Sequence, residues 1–593
     1  MLWKGIKDII SLKPNYSDTL SHLFDDNGSK ISDSVHIANE FNVYFTKVAE
    51  GITKKIPRTQ KSPLSYLSHS NPDSFSISPC TVNEVSNVIQ SLKNGKSSGP
   101  NSIPVKLLKI LNHPISSVLS VLINESFSTG IFPDKLKMAK VIPIFKKGLK
   151  TKTCNYRPIS LLSIFSKIFE KLMQSRLQKF LEISEVLFSM QFGFRSGHST
   201  EHALVTLTEN IKSTLDNNRL GCGIFIDLQK AFDTVNHEIL LKKLEHYGIR
   251  DTPLTWFKSY LCNRRQLVSI NGYSSSLCNI TCGVPQGSVL GPLLFLIYIN
   301  DLPNATSVLS FFLFADDTNI YFEAEDIDSL TRTINKELSK VKSWLDCNKL
   351  SLNIEKTNFV LFHSPRKKLP DLINIKIGKK NISRSQYVKF LGILLDEHLT
   401  WKYHITELHK KLTRTSRIFF KIRHYIPLQP LISLYNSLFS SFLCYGITTW
   451  GLTYDTYLKP LYLLQKKILR CISFSNFAAP SSPIFHSLKV LKLEDIIHSN
   501  ILTFVYKALN KVSPACFHTY FTPNSSVHRI TTRQVTRGDL FRSFKNTTLY
   551  GLKTIQYFGS KLWNTLPLFI RVSSSTAVFR SGLKTFFIDS YLH

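Results

Sequence analysis

An adjacent pair of carboxylates lies between two apolar runs in Val308-Leu309-Ser310-Phe311-Phe312-Leu313-Phe314-Ala315-Asp316-Asp317-Thr318-Asn319-Ile320-Tyr321-Phe322. The composition of both runs predicts strands, and the carboxylates stand where a hairpin would turn. At a tight turn, both carboxylates can reach nearly the same point. Two such anions repel each other unless a cation such as Mg2+, which prefers oxygen ligands, lies between them. Two polar residues that only solvate a turn are an equally good interpretation of this stretch alone.

The charge of the chain indicates a polyanionic partner. Its 593 residues carry a formal net charge of +33 with a pI near 9.7, and 43% of them are hydrophobic, as in a globular protein. Such an excess favours fast, salt-sensitive association with a polyanion over a merely basic soluble protein. The length is sufficient for several domains of roughly 100–200 residues each.

The chain shows no pattern typical of a membrane or secreted protein. No run reaches the ~18 apolar residues of a membrane span, and the first residues lead to no signal-peptide core. The ten cysteines are scattered, and the near pair Cys278 and Cys282 is followed by no second pair at zinc spacing. We therefore expect reduced thiols in an intracellular protein, in the nucleus or the cytoplasm, without membrane contact.

The first 80 residues predict short helices up to residue 56 and then a linker rich in Ser and Pro. A capping box at Thr81 and Glu84 begins a helix that Gly95 is placed to end. Residues 96–101 predict a turn, and a second helix is expected over about 104–126.

Cations gather at the end of the next strand. Residues 141–145 are apolar, Lys146 and Lys147 follow, and residues 155–162 are expected to open a helix that runs to about residue 181. A strand–turn–helix with these lysines and Arg157 at its tip would suit a triphosphate, because both side-chain types pair with phosphate oxygens. Lysines that simply contact solvent are the favoured alternative for this motif alone.

A third carboxylate, Asp227, ends an apolar strand over residues 223–226. A turn with Phe232 follows, and then a helix that Asn236 caps and Gly248 ends. Residues 281–292 predict a Gly/Pro-rich turn before a buried helix, and residues 191–200 a second Gly-rich loop before a helix; glycines let a backbone approach a ligand closely. A strand-end cap for Asp227 and an ordinary loop for residues 281–292 are the alternatives.

The remaining sequence continues with a helical apolar stripe over residues 327–345, a strand ending near residue 362 and one further strand over residues 388–396. From Trp401 the chain is helical and basic, with aromatic residues interleaved, as expected where cations follow phosphates and rings stack on bases. A solvated amphipathic face is the alternative there. Residues 481–593 are basic and aromatic and contain no catalytic carboxylate set.

The three carboxylates Asp227, Asp316 and Asp317 together suit phosphoryl transfer by two metal ions. One ion would lower the pKa of an attacking 3′-hydroxyl, and the other would hold a triphosphate and the leaving oxygen. Each ion needs several oxygen ligands, which accounts for carboxylates rather than His or Cys.

At these motifs the chain resembles the reverse transcriptases of non-LTR (LINE-type) retrotransposons, most closely the jockey-like group, over roughly residues 80–400. Three segments are similar to the catalytic box, the first metal-binding motif and the nucleotide-pocket motif: Phe-Ala-Asp-Asp at 314–317, residues 225–233 and Gly-Val-Pro-Gln-Gly at 283–287. Three others resemble the two fingers motifs and the primer grip: residues 143–148, 155–160 and 390–392.

The resemblance implies a role for each matching residue. Asp227 and Asp316 would bind both metal ions, Mg2+ or Mn2+, and Asp317 would assist them. Phe232 would clash with a ribose 2′-hydroxyl and so select deoxynucleotides. The other implied roles are triphosphate binding by Lys146, Lys147 and Arg157, the nucleotide pocket at Gln286 and Gly287, protonation of pyrophosphate by Lys356, and the primer grip at Phe390, Leu391 and Gly392.

The resemblance also implies an α+β right-hand polymerase with fingers, palm and thumb, in which helices back an antiparallel palm sheet. The expected domains are an N-terminal helical segment and linker (1–80), fingers and palm (81–400), a thumb-like basic helical region (401–480) and a helical basic C-terminal region of unknown role (481–593). The implied activity is that of an RNA-directed DNA polymerase. Its expected partners are an RNA template, a DNA primer or target-site DNA, and dNTPs, with the oligomeric state open.

The chain also departs from the pattern of this family. Full-length relatives carry an upstream endonuclease domain for which residues 1–80 leave no room, so a truncated element copy is expected. A catalytically silent remnant that binds nucleic acid is the alternative function, against which the intact aspartates argue. An RNA-dependent RNA polymerase is disfavoured by the bulky Phe232, and an intron-type maturase by the missing Cys/His nuclease module.

Overall fold

The computed structural model describes residues 20–24, 28–57, 59–68, 70–95, 99–100, 102–370, 372–527 and 537–592. It is a mixed helix and sheet structure, in agreement with the α+β class. The short helices predicted before residue 20, and all but residues 99 and 100 of the turn predicted over 96–101, lie outside these ranges.

The strands follow one another along the chain as β1 (Leu23–Phe24), β2 (Lys30–Ile31), β3 (Met138–Phe145), β4 (Tyr156–Leu162), β5 (Leu220–Ile226), β6 (Arg264–Ile270), β7 (Tyr273–Ser274), β8 (Cys278–Ile280), β9 (Ser310–Phe314), β10 (Asp317–Ala324), β11 (Asn358–Phe362), β12 (Lys376–Ile377), β13 (Lys380–Asn381), β14 (Ser383–Arg384), β15 (Tyr387–Phe390) and β16 (Ile393–Asp396).

The helices up to residue 347 are α1 (Ser34–Thr53), α2 (Val82–Ser91), α3 (Val105–Ile110), α4 (Asn112–Thr129), α5 (Ile164–Ile183), α6 (Thr200–Asp216), α7 (His237–His246), α8 (Asp251–Leu261), α9 (Gly291–Ile299) and α10 (Ile327–Cys347). Those after it are α11 (Lys402–Ile422), α12 (Leu428–Tyr435), α13 (Ser441–Cys444), α14 (Ile447–Trp450), α15 (Asp455–Ile472), α16 (Ser481–Ser487), α17 (Leu493–Leu509), α18 (Asn524–Val527), α19 (Ile555–Thr565), α20 (Leu568–Arg571) and α21 (Thr576–Asp589). A π-helical turn, Asn436–Ser440, joins α12 to α13, and 3-10 turns lie at Pro63–Tyr66, Asp134–Leu136, Thr153–Asn155, Leu302–Ala305, Ala515–Phe517 and Gly551–Lys553.

A five-stranded central sheet has the order β14-β11-β5-β10-β9. All its pairs are antiparallel except β11 with the short edge strand β14. The predicted hairpin is present as β9 and β10, and the predicted strands before Asp227 and up to residue 362 are β5 and β11. Because β10 is antiparallel to β5 and Thr318 lies opposite Ile226, the carboxyl end of β5 lies beside the turn of the hairpin.

Both faces of the central sheet are buried. Ile224 and Phe225 are successive residues of β5, so they point to opposite faces and belong to two different hydrophobic cores. On one face the core includes α9 and α10, whose apolar residues are buried, as the helical stripe predicted. On the other face it includes α6 and the helices that follow residue 401.

A second sheet has the order β4-β3-β6-β7, with β8 also paired to β6. In the sequence, its strands lie before and after β5 of the central sheet. Its first two strands correct a prediction, because residues 156–162 form a strand antiparallel to β3 rather than the start of a helix. Pro158 lacks a backbone N–H and disfavours helical backbone at Arg157, so the helix α5 begins only at Ile164.

The N-terminal segment packs on this second sheet. The Asn42 amide of α1 donates to the carbonyls of Gln266 and Ser276 at 3.4 and 2.8 Å, and Gln266 Nε2 donates back to Asn42 Oδ1 at 3.0 Å. In place of several short helices, the described residues before 57 contain this one long helix and the small β1–β2 ladder.

The Ser/Pro-rich segment before residue 80 differs from the linker that was expected. Phe75 is buried, and its N–H donates to the Gly248 carbonyl at 2.8 Å. The Arg250 guanidinium donates to the Ser74 hydroxyl at 2.8 Å and to the Asn71 carbonyl at 2.5 Å. Side-chain and backbone hydrogen bonds of this kind fix the segment along α7 and the start of α8.

Residues 388–396 form a hairpin of β15 and β16, where the sequence predicted one strand. Leu391 and Gly392 both have positive φ, of 43° and 89°, which is the backbone of a two-residue hairpin turn. A leucine in that conformation gives no sequence signal for a turn, and the apolar run therefore looked continuous.

The C-terminal residues continue the core of the helical half of the molecule. Apolar side chains of α17, α19 and α21 share one hydrophobic core with α6 and α11. Within the described residues no helix is both long and apolar enough to cross a membrane, and the ten cysteines are free thiols.

Candidate active site

The turn that carries the paired carboxylates is held by a neighbouring loop. Ala315 has a φ of 56°, and its N–H donates to Gln191 Oε1 at 3.1 Å, which also accepts from Gly193 N at 2.9 Å. A Cβ on Gly193 would stand 2.4 Å from Ala315 N, so only glycine permits this approach. The Gly-rich loop was noticed in the sequence, but the role of the buried Gln191 was not, because it depends on a partner 124 residues away.

Asp227 directly follows β5, and its backbone is fixed on both sides. Its carbonyl accepts from Asn353 N at 2.8 Å, and its N–H donates to Thr357 Oγ1 at 3.3 Å. Ile226 pairs with Thr318 in the sheet, which brings Asp227 beside the hairpin turn. Lys356, in the same turn as Thr357, places its Nζ 3.6 Å from Asp227 Oδ2, with both side chains about half exposed (50% and 44%).

These residues line one cleft of about 810 Å3. Most of the side chains singled out in the sequence meet there, namely Asp227, Asp316, Asp317, Lys356, Lys146, Lys147, Arg157, Phe232 and Gln286. Gly287 is not in the wall; it packs on the second sheet, where a Cβ would come within 2.6 Å of the Ser160 carbonyl. The cleft therefore combines acidic side chains on the central sheet with basic side chains at the β3–β4 turn.

The carboxylates of the cleft repel one another. Partial desolvation in the cleft, and then the charges of Asp316 and Asp227, raise the pKa of Asp317 to about 6. Desolvation and the charge of Asp227 also raise the pKa of Asp316, although a hydrogen bond from its own backbone N–H and the charges of Arg157 and Lys146 act in the opposite direction. Such mutual repulsion is what a bound cation relieves, so the donor set fits a hard divalent ion.

The cations of the cleft repel each other in the same way. Desolvation, and then the charges of Arg157 and Lys356, lower the pKa of Lys146. Lys230 behaves similarly: desolvation lowers its pKa, and its Nζ donates to the Tyr156 carbonyl at 3.4 Å. An excess of positive charge opposite the carboxylates suits a ligand with several phosphates.

The apolar wall of the cleft is formed by Phe232, whose ring stacks on Phe295 of α9 with centroids 4.6 Å apart. Beside it, Gln286 Nε2 donates to Asp233 Oδ1 at 2.8 Å, while Asp233 Oδ2 has no partner among the described residues. Burial raises the pKa of Asp233 to about 6. Asp233 thus orients Gln286. The two residues are 53 positions apart, and the sequence gives no signal of their contact.

Two other contributors were missed from the sequence. The cleft is also lined by Tyr44, Val48 and Ile52 of α1. Buried Glu170 of α5 accepts from the N–H groups of Val289 and Leu290 at 2.6 and 3.2 Å, just before α9. Both contacts join segments more than a hundred residues apart, which local patterns do not reveal.

The residues expected to grip a primer lie outside the cleft. Phe390 is buried against Phe225, with ring centroids 6.1 Å apart, and the Leu391 carbonyl accepts from the Tyr445 hydroxyl at 2.5 Å. Gly392 lines a separate cavity of about 820 Å3 together with basic side chains of α11, Lys410, Lys411 and Arg414. The turn is therefore placed at the start of a basic groove.

Residues 144–395, which contain all of this cleft except the α1 side chains, match the sequence profile of the reverse transcriptase (RNA-dependent DNA polymerase) family. They form a reverse transcriptase domain. The match spans the β3–β4 turn, Asp227, the hairpin and the β15–β16 turn, and it confirms the resemblance that the motifs indicated.

The similarity extends well beyond the reverse transcriptase domain. The chain is 30% identical over 516 residues to the RNA-directed DNA polymerase from mobile element jockey of Drosophila melanogaster. This alignment covers 85% of the chain and 54% of that relative. It is 28% identical to the probable RNA-directed DNA polymerase from transposon X-element and 29% identical to that from transposon BS, both of Drosophila melanogaster, over 79% and 78% of this chain and 51% of each relative. The chain thus spans about half the length of these curated relatives.

Proposed function

We propose that this protein is an RNA-directed DNA polymerase of a non-LTR retrotransposon, which adds dNMPs to a DNA 3′ end on an RNA template. The observation that carries the proposal is the juxtaposition of three carboxylates with a basic turn in one cleft of the reverse transcriptase domain. The names of the relatives, which are RNA-directed DNA polymerases, support the same activity.

Asp227, Asp316 and Asp317 would hold two Mg2+ ions, or Mn2+ in their place. When bound, such ions lower the pKa of the primer 3′-hydroxyl and neutralise charge on the transferring phosphoryl group and the leaving pyrophosphate. The protein supplies the fixed position of the ligands, through the backbone bonds of Asp227 and the clamp of Gln191 on the hairpin turn.

The basic side chains of the cleft would bind the triphosphate. Lys146, Lys147 and Arg157 belong to the β3–β4 hairpin, so they would orient the phosphates as a group. Lys356 lies next to Asp227, where it would donate a proton to the leaving pyrophosphate.

The apolar wall would select the sugar and position the base pair. Phe232 is held by its stack on Phe295, so a ribose 2′-hydroxyl would meet a rigid ring. Gln286, oriented by Asp233, would contact the incoming nucleotide, and Gly287 would shape the turn that carries it.

The two sheets and the helices after them would form the right hand of a polymerase. The second sheet and its helices would be the fingers and the central sheet the palm, within residues 81–400. Residues 401–480, led by the basic helix α11, would be the thumb on the template–primer duplex, with Phe390, Leu391 and Gly392 as the primer grip. Residues 481–593 would support the thumb and α6 through their shared core.

Primer extension tests the proposed activity. The full chain should extend oligo(dT) on poly(rA) with dTTP and Mg2+, and the Asp316→Ala, Asp317→Ala double variant should not. The control is Asp328→Ala, an exposed residue of α10. If the parent binds the template and has a native circular dichroism spectrum but extends nothing, the protein is a nucleic-acid binder rather than a polymerase.

Sugar selection tests the role of Phe232. The Phe232→Ala variant should incorporate rNTPs with an efficiency much closer to that for dNTPs, because the ring that meets the 2′-hydroxyl is gone. The measurement is the ratio of kcat/KM for dTTP and UTP on the same template. An unchanged ratio would remove Phe232 from this role while leaving the polymerase proposal intact.

A further inference from the structure

A cluster of two imidazoles and a carboxylate lies outside the cleft. His363 follows β11, and Glu397 and His398 follow β16, so the cluster joins the ends of strands from two different sheets. One candidate ligand atom from each side chain lies within 4.8 Å of those of the other two. The cluster is at most partly exposed, with 10% of the His363, 17% of the Glu397 and 26% of the His398 side chain accessible.

The tautomers of both histidines are fixed by backbone carbonyls. His363 Nδ1 lies 2.9 Å from the Ser364 carbonyl oxygen, and His398 Nδ1 lies 2.9 Å from the His363 carbonyl oxygen. A carbonyl only accepts, so each Nδ1 carries the proton and donates it. In the neutral ring, each Nε2 is then left with a lone pair.

Both of these Nε2 atoms face the carboxylate of Glu397. The distances are 3.7 Å from His363 Nε2 to Oε2 and 4.0 Å from His398 Nε2 to Oε1. They exceed the 2.7–3.2 Å of an N–H···O hydrogen bond, so neither ring donates directly to Glu397. The described donor that reaches Glu397 from another side chain is Arg384, whose Nη2 lies 3.3 Å from Oε2 and leaves Oε1 available.

We propose that His363, Glu397 and His398 bind a divalent transition-metal ion, with Zn2+ as the best match. Two imidazole nitrogens and a carboxylate oxygen are ligands that Zn2+ takes in protein sites, with bonds of roughly 2.0–2.2 Å and a water molecule in the fourth position. Ligand atoms of such a tetrahedron are about 3.3 Å apart. The separations of 3.7 and 4.0 Å would therefore shorten by about 0.4 and 0.7 Å, and no pair by more than about 1.5 Å. The carbonyls on Nδ1 are the outer partners that orient metal-binding histidines.

The position of the cluster indicates what the ion would do. Asp396, beside Glu397, accepts from the N–H groups of Thr400 and Trp401, and the His398 carbonyl accepts from the Tyr550 hydroxyl at 3.3 Å. The ion would therefore tie the central sheet to the β15–β16 hairpin at the point where α11 begins. This inference does not depend on the polymerase activity.

Zinc binding to the full chain tests the site. The protein is stripped with a chelator, and its affinity for Zn2+ is measured by competition with a chromophoric chelator, in excess Mg2+ to saturate the cleft carboxylates. We expect one tightly bound ion in the parent, with at least tenfold weaker binding in His398→Gln and in Glu397→Gln. His113→Gln, on an exposed part of α4, is the matched control and should bind as the parent does.

Two further measurements keep the result unambiguous. His363 is buried, so its substitution can unfold the protein. Glu397 and His398, which the two variants above replace, are more exposed. Circular dichroism checks that both variants are folded. Co2+ in place of zinc should give the visible spectrum of a nitrogen and oxygen site without a thiolate charge-transfer band, which separates the cluster from the ten cysteines. Absence of a tight ion in the parent, or equal affinity in His398→Gln and the parent, would overturn the proposal.

Discussion

Two groups of carboxylates lie near the central sheet, and they differ in how many hydrogen bonds they accept from the rest of the protein. On α6, Asp216 accepts from the N–H groups of Asn546 and Thr547 at 3.2 and 2.7 Å and from the Thr547 hydroxyl at 2.7 Å. Glu209 of the same helix accepts from Lys212 Nζ at 3.0 Å and from Ile555 N at 2.9 Å.

In the cleft, by contrast, Asp316 and Asp317 accept no hydrogen bond from another described side chain, and Asp227 has only the loose contact with Lys356. A buried acid whose oxygens are all bonded holds segments together, because removing it leaves its donors unsatisfied. An acid without a hydrogen-bond partner from another residue costs free energy in the absence of a ligand and is available to bind one. Hydrogen bonding thus separates the acids that hold segments together from the acids that we propose to bind metal ions.

The largest effect is expected at Asp227. The Asp227→Asn variant should lose several kcal/mol of stabilisation of the phosphoryl-transfer transition state, which is a fall of about 10^3-fold in the rate of primer extension. Its midpoint of urea unfolding should not decrease, because among the described residues no donor depends on the carboxylate apart from Lys356. A variant that unfolds at lower urea would show that Asp227 is a structural acid like Asp216.

The next effect concerns stability at Asp216. The Asp216→Ala variant leaves two backbone N–H groups and one hydroxyl without their acceptor, and we expect a loss of about 3 kcal/mol in the free energy of unfolding. Urea unfolding beside Asp328→Ala, an exposed control in α10, measures it. A loss no larger than that of the control would mean that water replaces the carboxylate at this interface.

Asp233 is intermediate, since Gln286 bonds one of its oxygens and the other has no partner in the described structure. Its pKa of about 6 lies above the usual 3.8, so the native state holds the proton more tightly than the unfolded chain. Its contribution to stability is therefore present below pH 4 and is lost as the pH rises through about 6.

We accordingly expect the Asp233→Asn variant, which stays neutral, to gain about 2 kcal/mol over the parent at pH 8 and to lose that advantage at pH 4. Thermal unfolding of both proteins between pH 4 and pH 8 measures the difference. A constant difference across this range would show that the carboxylate is ionised in the native protein at every pH tested.

The smallest effect is expected at Asp317. Removing one charge with Asp317→Asn relieves repulsion from Asp316 and Asp227, and should stabilise the metal-free protein by about 1 kcal/mol, because the group is partly screened by solvent. Added Mg2+ should stabilise the parent more than the variant. Calorimetry with and without Mg2+ measures both, and a variant that melts below the metal-free parent would contradict the repulsion.

The sequence predicted the parts of the fold that local patterns encode. The β9–β10 hairpin, the strand before Asp227, the helix after Asn236 and the buried helix after Pro292 are all present. Two of the errors, at residues 156–162 and 388–396, arose because a proline or a leucine with positive φ gave an apolar run a backbone conformation that its pattern does not predict. Neither conformation follows from hydrophobic periodicity.

The same division holds for the candidate site. The acids, the cations and Phe232 stand in short motifs, and the structure brings them into one cleft. Gln191 and Asp233 lay inside quoted motifs, but their roles and those of the α1 side chains were missed, because only the tertiary structure brings their partners near. The sequence therefore predicted the side chains that we propose to touch a substrate better than those that hold them in place.

The bonds of Asp216 also have a consequence for synthesis on the ribosome. The acceptor on α6 and its donor at Asn546 are 330 residues apart in the chain. At roughly 5–20 residues per second, the nascent chain must wait on the order of 15–70 s between the two. On helix α6, Glu209 can pair at once with Lys212 of the same helix, whereas Asp216 waits for residues 546 and 547. A nascent chain interrupted before residue 546 therefore leaves Asp216 without these donors and is expected to be a client of chaperones.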